Sequence, residues 1–359
     1  MRPGHLAALA PVCPLCRKSG RGESPLALTR TLRENAAAEA VVEGILQCRH
    51  PECLREYPVI DGVPLLVAEL RSWVAGNLPR VLARDDLSPE MESLLGDCAG
   101  PGSEVDVTRS ELSIYGRDHY GDLADGAEPG SAVRLLEAVL ELAGGRLAGL
   151  PAGPVLDVGC AVGRTTIELA HRLDRRALGV DLHLPMLRTA QRVLLDGVAR
   201  YPRRRVGVVY DRSEHPADLP GRAASDVWAA DAAALPFADG TFALAASFNV
   251  LDCVASPRDA LAELARVLAP GGLALVTTPY DWSPGATPFE QWLGGHSQRG
   301  SCAGASEPVL RALLTPGAHP AGVSGLEIVA EAESLPWRLR LHDRSVMEYS
   351  VHGLVLRRR

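Results

Sequence analysis

Two groups of residues in this 359-residue chain have the types and spacing that do chemistry. The first is four cysteines near the start: Cys13 and Cys16 in CPLC, Cys48 and Cys53 in CRHPEC. Two close thiol pairs a few tens of residues apart suit tetrahedral Zn²⁺, because each tight turn delivers two thiolates to one ion. His50 lies inside the second pair and is the alternative to one cysteine as ligand. The second group combines glycines with acids: Asp157, Gly159 and Gly163 in LDVGCAVG, Asp181 in GVD, and Asp231 in AADAAALPFADG. Glycines after a short apolar strand let the backbone pass close to a ligand with no Cβ in the way. An acid about 20 residues further on, at the end of the next strand, accepts both hydroxyls of a ribose. The third glycine of a pyrophosphate loop is missing from GCAVGRT, which argues against a dinucleotide.

These residues need elements to hold them. VLDV reads as a short buried strand, followed by a glycine turn and a helix from about Thr165. Asp181 and Asp231 each close a further strand, and strand–helix alternation of this kind predicts a mostly parallel sheet with helices on both faces. GLEIVAEAESL and SVMEYSVHGLVLRR alternate without helix punctuation and supply the last two strands. AVRLLEAVLELAGG carries apolar residues at helical spacing and ends in glycines. Upstream, helical pieces such as ELRSWVAGNLPRVLARD are broken by PGS and by GDLADGAEPG. Within that stretch, SIYGRDHYGDL puts Tyr115, His119 and Tyr120 just before the α/β part, either reaching over its ligand site or packing as linker. The expected division is residues 1–69, a small β-rich zinc ribbon; 70–130, a helical linker and cap; and 131–359, the α/β domain.

Bulk properties exclude several classes. Hydrophobic content of 47% and charged content of 23% are those of a globular protein. A net charge of −7 disfavours nucleic acid as the main partner. The basic clusters Arg203 to Arg205 and Arg357 to Arg359 read as a solvated turn and a solvated tail. No apolar run reaches the roughly 18 residues that span a bilayer, so no membrane association is expected. MRPGHLAALAPVCPLC does not read as a signal peptide, which predicts a cytoplasmic protein whose cysteines are thiols or metal ligands.

Three resemblances follow from these strings. The cysteine knuckles followed by YPVIDGVPLLV resemble the Trm112-like zinc-ribbon family over residues 11–68, which implies a structural zinc and an aspartate-glycine turn between two strands. The second knuckle departs from that family, with four residues between its cysteines where two are usual. From about 150 to 279, the ordered set LDVGCAVG, GVD, AADAAALPFADGTFALA and LARVLAPGGLALVTTP resembles the class I S-adenosylmethionine-dependent methyltransferases. That resemblance implies a Rossmann-like seven-stranded sheet. It also implies that Asp157 shapes the loop and that the backbone of Gly159, Cys160, Ala161 and Gly163 holds the methionine part. Asp181 and Leu182 would then hold the ribose, Asp231 and Ala232 the adenine, with Asn249 beside them.

The acceptor must be read from the pocket walls, because an activated methyl donor needs orientation and desolvation more than a fixed catalytic motif. SFNVLDCVASP offers Asn249, to position a substrate or to cap the next helix, and Asp252. TPYDWSPGATPFEQWLGG, residues 278–295, concentrates Tyr280, Trp282, Phe289 and Trp292 on a proline- and glycine-rich loop, in a chain only 4% aromatic. GCAVGR, HYG and this loop together resemble the mercaptohistidine N-methyltransferases of ovothiol biosynthesis, from about Tyr115 to the C-terminus. The resemblance implies N-methylation of a small imidazole or amino-acid-type substrate. Asn249, Tyr280 and Trp282 would serve catalysis, and Tyr115, His119, Tyr120, Tyr280, Trp282 and Trp292 would line the acceptor pocket, the loop acting as a lid. Two rival expectations are a zinc-ribbon methyltransferase acting on RNA, and a non-catalytic scaffold or activator subunit.

Overall fold

The computed structural model describes residues 1–83, 86–124, 129–300 and 302–359; part of the expected GDLADGAEPG break, residues 125–128, lies outside them. Helices α1 (Pro3–Leu9) and α2 (Pro14–Lys18) lead into an antiparallel sheet of β1 (Leu26–Asn35), β2 (Ala40–Cys48), β3 (Glu56–Ile60) and β4 (Val63–Pro64). Asp61 and Gly62 both take left-handed backbone, at φ +52° and +81°, and make the tight β3–β4 turn that the DG pair calls for. Three helices follow, α3 (Leu70–Leu82), α4 (Pro89–Ala99) and α5 (Glu104–Tyr120), and then α6 (Ser131–Ala143). Asp118 at the end of α5 accepts from the amides of Ser131 and Ala132 at 2.6 and 3.1 Å, so one helix caps the start of the next.

The α/β part runs β5 (Val155–Val158), α7 (Arg164–Leu173), β6 (Ala177–Asp181), α8 (Leu184–Asp196), β7 (Val198–Val206), β8 (Val209–Pro216), β9 (Ser225–Ala229) and β10 (Phe242–Phe248). It continues through α9 (Pro257–Val267), β11 (Leu268–Thr278), α10 (Glu307–Leu314), β12 (Leu326–His342) and β13 (Ser345–Arg358). Seven strands form one sheet in the order β12-β13-β11-β10-β5-β6-β9. The last two expected strands are present as an antiparallel pair, and β13 runs antiparallel to β11. The chain winds outward from β5 through β6 to β9, then returns to β10 on the other side of β5. A crevice therefore opens at the carboxyl ends of β5 and β10, where ligands bind in sheets of this topology.

Two expectations need correction. Arg203 to Arg205 lie on β7 of a hairpin that pairs only with β8, not on a turn, because this insertion between β6 and β9 alternates well enough to form strands. Arg203 pairs with Asp343 at 3.1 Å, and Arg204 bonds Ser110 of α5 at 3.1 Å. Arg357 and Arg358 belong to β13 rather than to a free tail, and Arg359 pairs with Glu327 at 2.9 Å.

The small sheet packs on the edge of the large one. Leu65 bridges Ala229 of β9 in parallel, the Leu66 amide donates to the Ala229 carbonyl at 2.8 Å, and the Val12 amide donates to Pro236 at 2.9 Å. One apolar cluster runs from Leu46, Tyr57 and Leu65 into Leu187, Val227 and Trp228. Arg188 of α8 ties the joint: its guanidinium holds Asp61 at 2.8 Å and the carbonyls of Arg80 and Val81 at 2.5 and 2.6 Å. Arg188→Met keeps the apolar stem and strands those acceptors, so it should lower stability by about 2–3 kcal/mol. Chemical denaturation would read this as a shifted midpoint; an unchanged midpoint would mean the joint does not rest on this residue.

Candidate functional site

All four residues of β5 are buried, and the third of them is an acid. Asp157 is 1% exposed; one carboxylate oxygen accepts from Thr165 and Thr166 at 2.7 Å each, both from the first turn of α7. Burial, opposed by these hydroxyls and assisted by Asp181, pushes its carboxyl up to about 6. Between strand and helix the backbone turns left-handed at Gly159 (φ +73°), Ala161 (+48°) and Gly163 (+87°). A Cβ on Gly163 would sit 2.7 Å from Ala190, and one on Gly159 would collide with Val250, so both glycines answer to close approach as well as to conformation. Asp181, at the end of β6, accepts from the Ala161 amide at 3.0 Å and the His183 amide at 2.8 Å. Asp231, just beyond β9, accepts from the Ala233 amide at 2.9 Å through one oxygen. Leu182 is 38% exposed beside Asp181, whereas the Cys160 side chain is fully buried and only its backbone faces the turn.

The segment before α6 closes this turn from behind. Tyr120 is fully buried, and its hydroxyl donates to the Val162 carbonyl at 2.6 Å. His119 Nδ1 accepts from the Arg164 amide at 3.3 Å and so caps α7. Burial, then the charge of Arg164, pushes the His119 imidazole down to about 3, so it is neutral. Arg164 is 6% exposed and grips Asp122 through both guanidinium nitrogens at 3.1 and 3.0 Å and Glu168 at 2.9 Å. Tyr115, one turn before His119, feels Cys253, Asp181, Glu111 and Tyr349, and burial raises its phenol. It therefore lies on the side of Cys253 and Asp181, while His119 and Tyr120 serve the glycine turn.

At the opposite wall, Asn249 follows β10 with φ +57°; its amide oxygen accepts from the Thr277 hydroxyl at 2.9 Å. Tyr280 follows β11, also left-handed at φ +57°. Ala161, Asn249 and Tyr280 thus put non-glycine left-handed backbone just past the carboxyl ends of three adjacent strands. Each such residue costs on the order of 1–3 kcal/mol, and such strain collects at functional sites. The aromatic loop stacks on itself: Trp282 lies on Trp292 at 6.1 Å and 17°, and Phe289 meets Trp292 edge-on at 5.0 Å. The polar atoms of these rings are held by protein, Tyr280 by His352 at 2.6 Å, Trp282 by Ser306 at 3.1 Å and Trp292 by Thr287 at 2.8 Å. Asp281 turns the other way, its amide donating to Asp252 at 2.7 Å and its carboxylate accepting from Tyr349 at 2.9 Å.

Residues 156–276, from β5 to β11, match the family described as methyltransferase domain. The chain carries a class I S-adenosylmethionine-dependent methyltransferase domain. The chain is 26% identical over 177 residues to the O-methyltransferase cnsE of Penicillium expansum, a match covering 49% of this chain and 56% of the relative. The chain thus spans little more than half the length of that curated relative. Among solved structures, it is similar to phosphoethanolamine N-methyltransferase 2 of Haemonchus contortus with bound S-adenosylmethionine, at 18% identity, TM-score 0.33, and coverage of 47% of this chain and 33% of that one. A complex of the Haloferax volcanii Trm112 methyltransferase activator with a putative methyltransferase is similar at 21% identity, TM-score 0.28, and coverage of 45% and 61%.

The methyltransferase domain is accompanied by a thiol cluster. Sγ atoms of Cys13, Cys16, Cys48 and Cys53 all lie within 4.8 Å of one another, with Cys13–Cys53 at 3.9 Å and Cys16–Cys48 at 3.6 Å. Tetrahedral zinc with sulfur at about 2.3 Å sets sulfur–sulfur edges of about 3.8 Å, so the cluster fits that ion. His50 stands outside it, its Nδ1 taken by the Glu52 amide at 3.2 Å. The extra residues of the second knuckle are absorbed by a turn at 51–53 that still returns Cys53 to its partners. Tyr57, fully buried, touches Cys13 Sγ with its hydroxyl at 3.1 Å.

Sequence reasoning assigned no role to Arg164, Asp122, Asp281 or Tyr349. Asp281 carried a signal, being the acid that interrupts the loop's rings; Tyr349 carried none, because its partner lies in a distant segment.

Two outcomes follow. Metal analysis of the purified chain should find one zinc per molecule, and Cys16→Ser should lower the melting midpoint by on the order of 5–10 °C; protein lacking zinc would overturn the assignment. His119 has its folded value far below the ordinary 6.5, so its contribution is full above 6.5 and is lost as pH falls. The loss is about 2 kcal/mol between pH 6.5 and 5, opposed by Asp118 and Asp157, both pushed up to about 6. Stability measured against pH should thus show less acid sensitivity in His119→Gln than in the parent.

Proposed function

We propose that the protein is an S-adenosylmethionine-dependent methyltransferase that N-methylates a small imidazole or amino-acid-type acceptor of the mercaptohistidine kind. The observation that carries the reading is the Asp181 carboxylate, fixed at the end of β6 by the glycine-turn amide of Ala161. An acid so held has lone pairs left for the two hydroxyls of a ribose. Leu182 would lie against the same sugar. Asp231 and Ala232 would meet the adenine, and the backbone of Gly159, Cys160, Ala161 and Gly163, with Asn249, the methionine part.

Bound S-adenosylmethionine supplies a methyl carbon whose bond to sulfur breaks as the acceptor's lone pair attacks, the bond's electrons leaving on sulfur. An imidazole nitrogen offers that lone pair near neutral pH, so no strong base is required; any ring proton released passes to solvent. What the chain does is position and dry the reactants. Tyr115 covers the crevice from α5. Tyr280, Trp282 and Trp292 offer ring faces, their polar atoms being engaged elsewhere. Against an RNA acceptor, the arginine run on β7 is neutralised in part, Arg203 by Asp343 and Arg205 by Asp211 at 3.7 Å.

Asp181→Asn should weaken S-adenosylmethionine binding by roughly ten- to a hundredfold in calorimetry, the worth of hydrogen bonds to a charged group. A mass-spectrometric screen of mercaptohistidine, histidine, related imidazoles and bulk RNA should show a gain of one CH₂ on an imidazole. A folded parent chain that binds no S-adenosylmethionine would sink the proposal.

A further inference from the structure

Five residues from four separate segments meet beside the crevice: Tyr115, the pair Asp252 and Cys253, Asp281, and Tyr349. Asp252 is 1% exposed, and its Oδ1 is buried with no donor from any other residue, while Oδ2 takes the Asp281 amide at 2.7 Å. A buried carboxylate oxygen left without a donor is costly, and persists where something outside the chain supplies one. Asp281 adds a second carboxylate, turned toward the Tyr349 hydroxyl at 2.9 Å. Among the described residues, neither Asp252 nor Asp281 has a Lys, Arg or His ion-pair partner.

The electrostatics of the pocket agree with that geometry. Cys253, exposed at the surface but flanked by protein, is raised to about 12 by partial desolvation and then by Asp252, Asp281 and Asp181. Tyr349 is raised to about 12 by burial and then by Asp281, Asp252 and Cys253. Burial, then Cys253, Asp181, Glu111 and Tyr349, raises the Tyr115 phenol, and burial raises Asp252 as well. Acidic groups are concentrated here, with Asp252 buried and Asp281 exposed to solvent beside it, so a ligand cation entering from solvent would meet both carboxylates.

We propose that Asp252 and Asp281, walled by Tyr115 and Tyr349, form a subsite for an ammonium group of the methyl acceptor. This rests on the methyltransferase reading and sharpens its substrate class. A protonated amine has no lone pair and cannot itself be methylated. The acceptor is therefore bifunctional: a small molecule with an amine held protonated at one end and a neutral nucleophile, such as an imidazole nitrogen, at the other. Two carboxylates also offset the repulsion between that ammonium and the donor's sulfonium, and the phenol faces favour a cation. The rival occupant is the donor itself, whose methionine part carries an ammonium too.

Calorimetry on the full chain saturated with S-adenosylhomocysteine tests this with two matched pairs, histamine against imidazole-4-acetate and phenethylamine against phenylacetate. Each amine should bind at least about tenfold more tightly than its acid. Asp281→Asn should abolish the preference while S-adenosylhomocysteine affinity stays within about twofold. Tyr349→Phe, which removes one hydroxyl and no charge, should keep the preference and guards against a folding defect in the first variant. Equal affinity within the pairs, preference for the acids, or no binding of either amine overturns the subsite. So does an Asp281→Asn variant that loses S-adenosylhomocysteine as strongly as it loses the amines, because the acids would then serve the donor. The two readings fail separately: tight S-adenosylhomocysteine binding without charge preference removes the subsite alone, whereas a chain that binds no S-adenosylhomocysteine removes both.

Discussion

The carboxylate of Asp157 sits inside a fully buried strand and accepts from two threonine hydroxyls on the first turn of α7. A charge or a protonated acid in that position is tolerable only with such donors, and the donors come with a constraint. They fix where the helix begins relative to the strand, and so force the three intervening left-handed residues into one path. Asp181 then clamps that path through the Ala161 amide, while Tyr120 and His119 hold Val162 and Arg164 from the other side. The turn is a ring of hydrogen bonds rather than a loose loop, and a ligand meets backbone already in place.

Around this turn the sheet topology does the rest. The return from β9 to β10 leaves the ends of β5 and β10 side by side with no crossover between them. Asn249 and Tyr280 each follow their strands in left-handed conformation, at the carboxyl ends of two adjacent interior strands. In the aromatic loop, neighbouring residues then take opposite sides. Tyr280 and Trp282 pack on the core and before α10, while Asp281, exposed, bonds Asp252 and Tyr349.

The thiol cluster belongs to the same physical unit. Its sheet shares an apolar core with the methyltransferase domain and extends the sheet beside β9, two residues before Asp231. Order in the cysteine knuckles therefore bears on the strand that presents this acid.

Much of this was legible in the sequence because it is local. A short apolar strand, a glycine turn and an acid at the next strand's end specify one geometry within a few residues, and cysteine spacing specifies a tetrahedral cluster. The DG turn of the small sheet and the two closing strands were readable for the same reason. The β7–β8 hairpin was not, because its strands pack only on each other and on α5, and its arginines read as a solvated turn. Composition alone suggests a wall at the rings of residues 278–295, yet it says nothing about which way a side chain turns. That Asp281 faces Asp252 and Tyr349, that Tyr280 bonds His352, and that His119 caps a helix were decided only by tertiary structure. Each depends on partners brought together by the sheet's winding, and hydrogen bonds between distant segments leave no periodic trace in the chain.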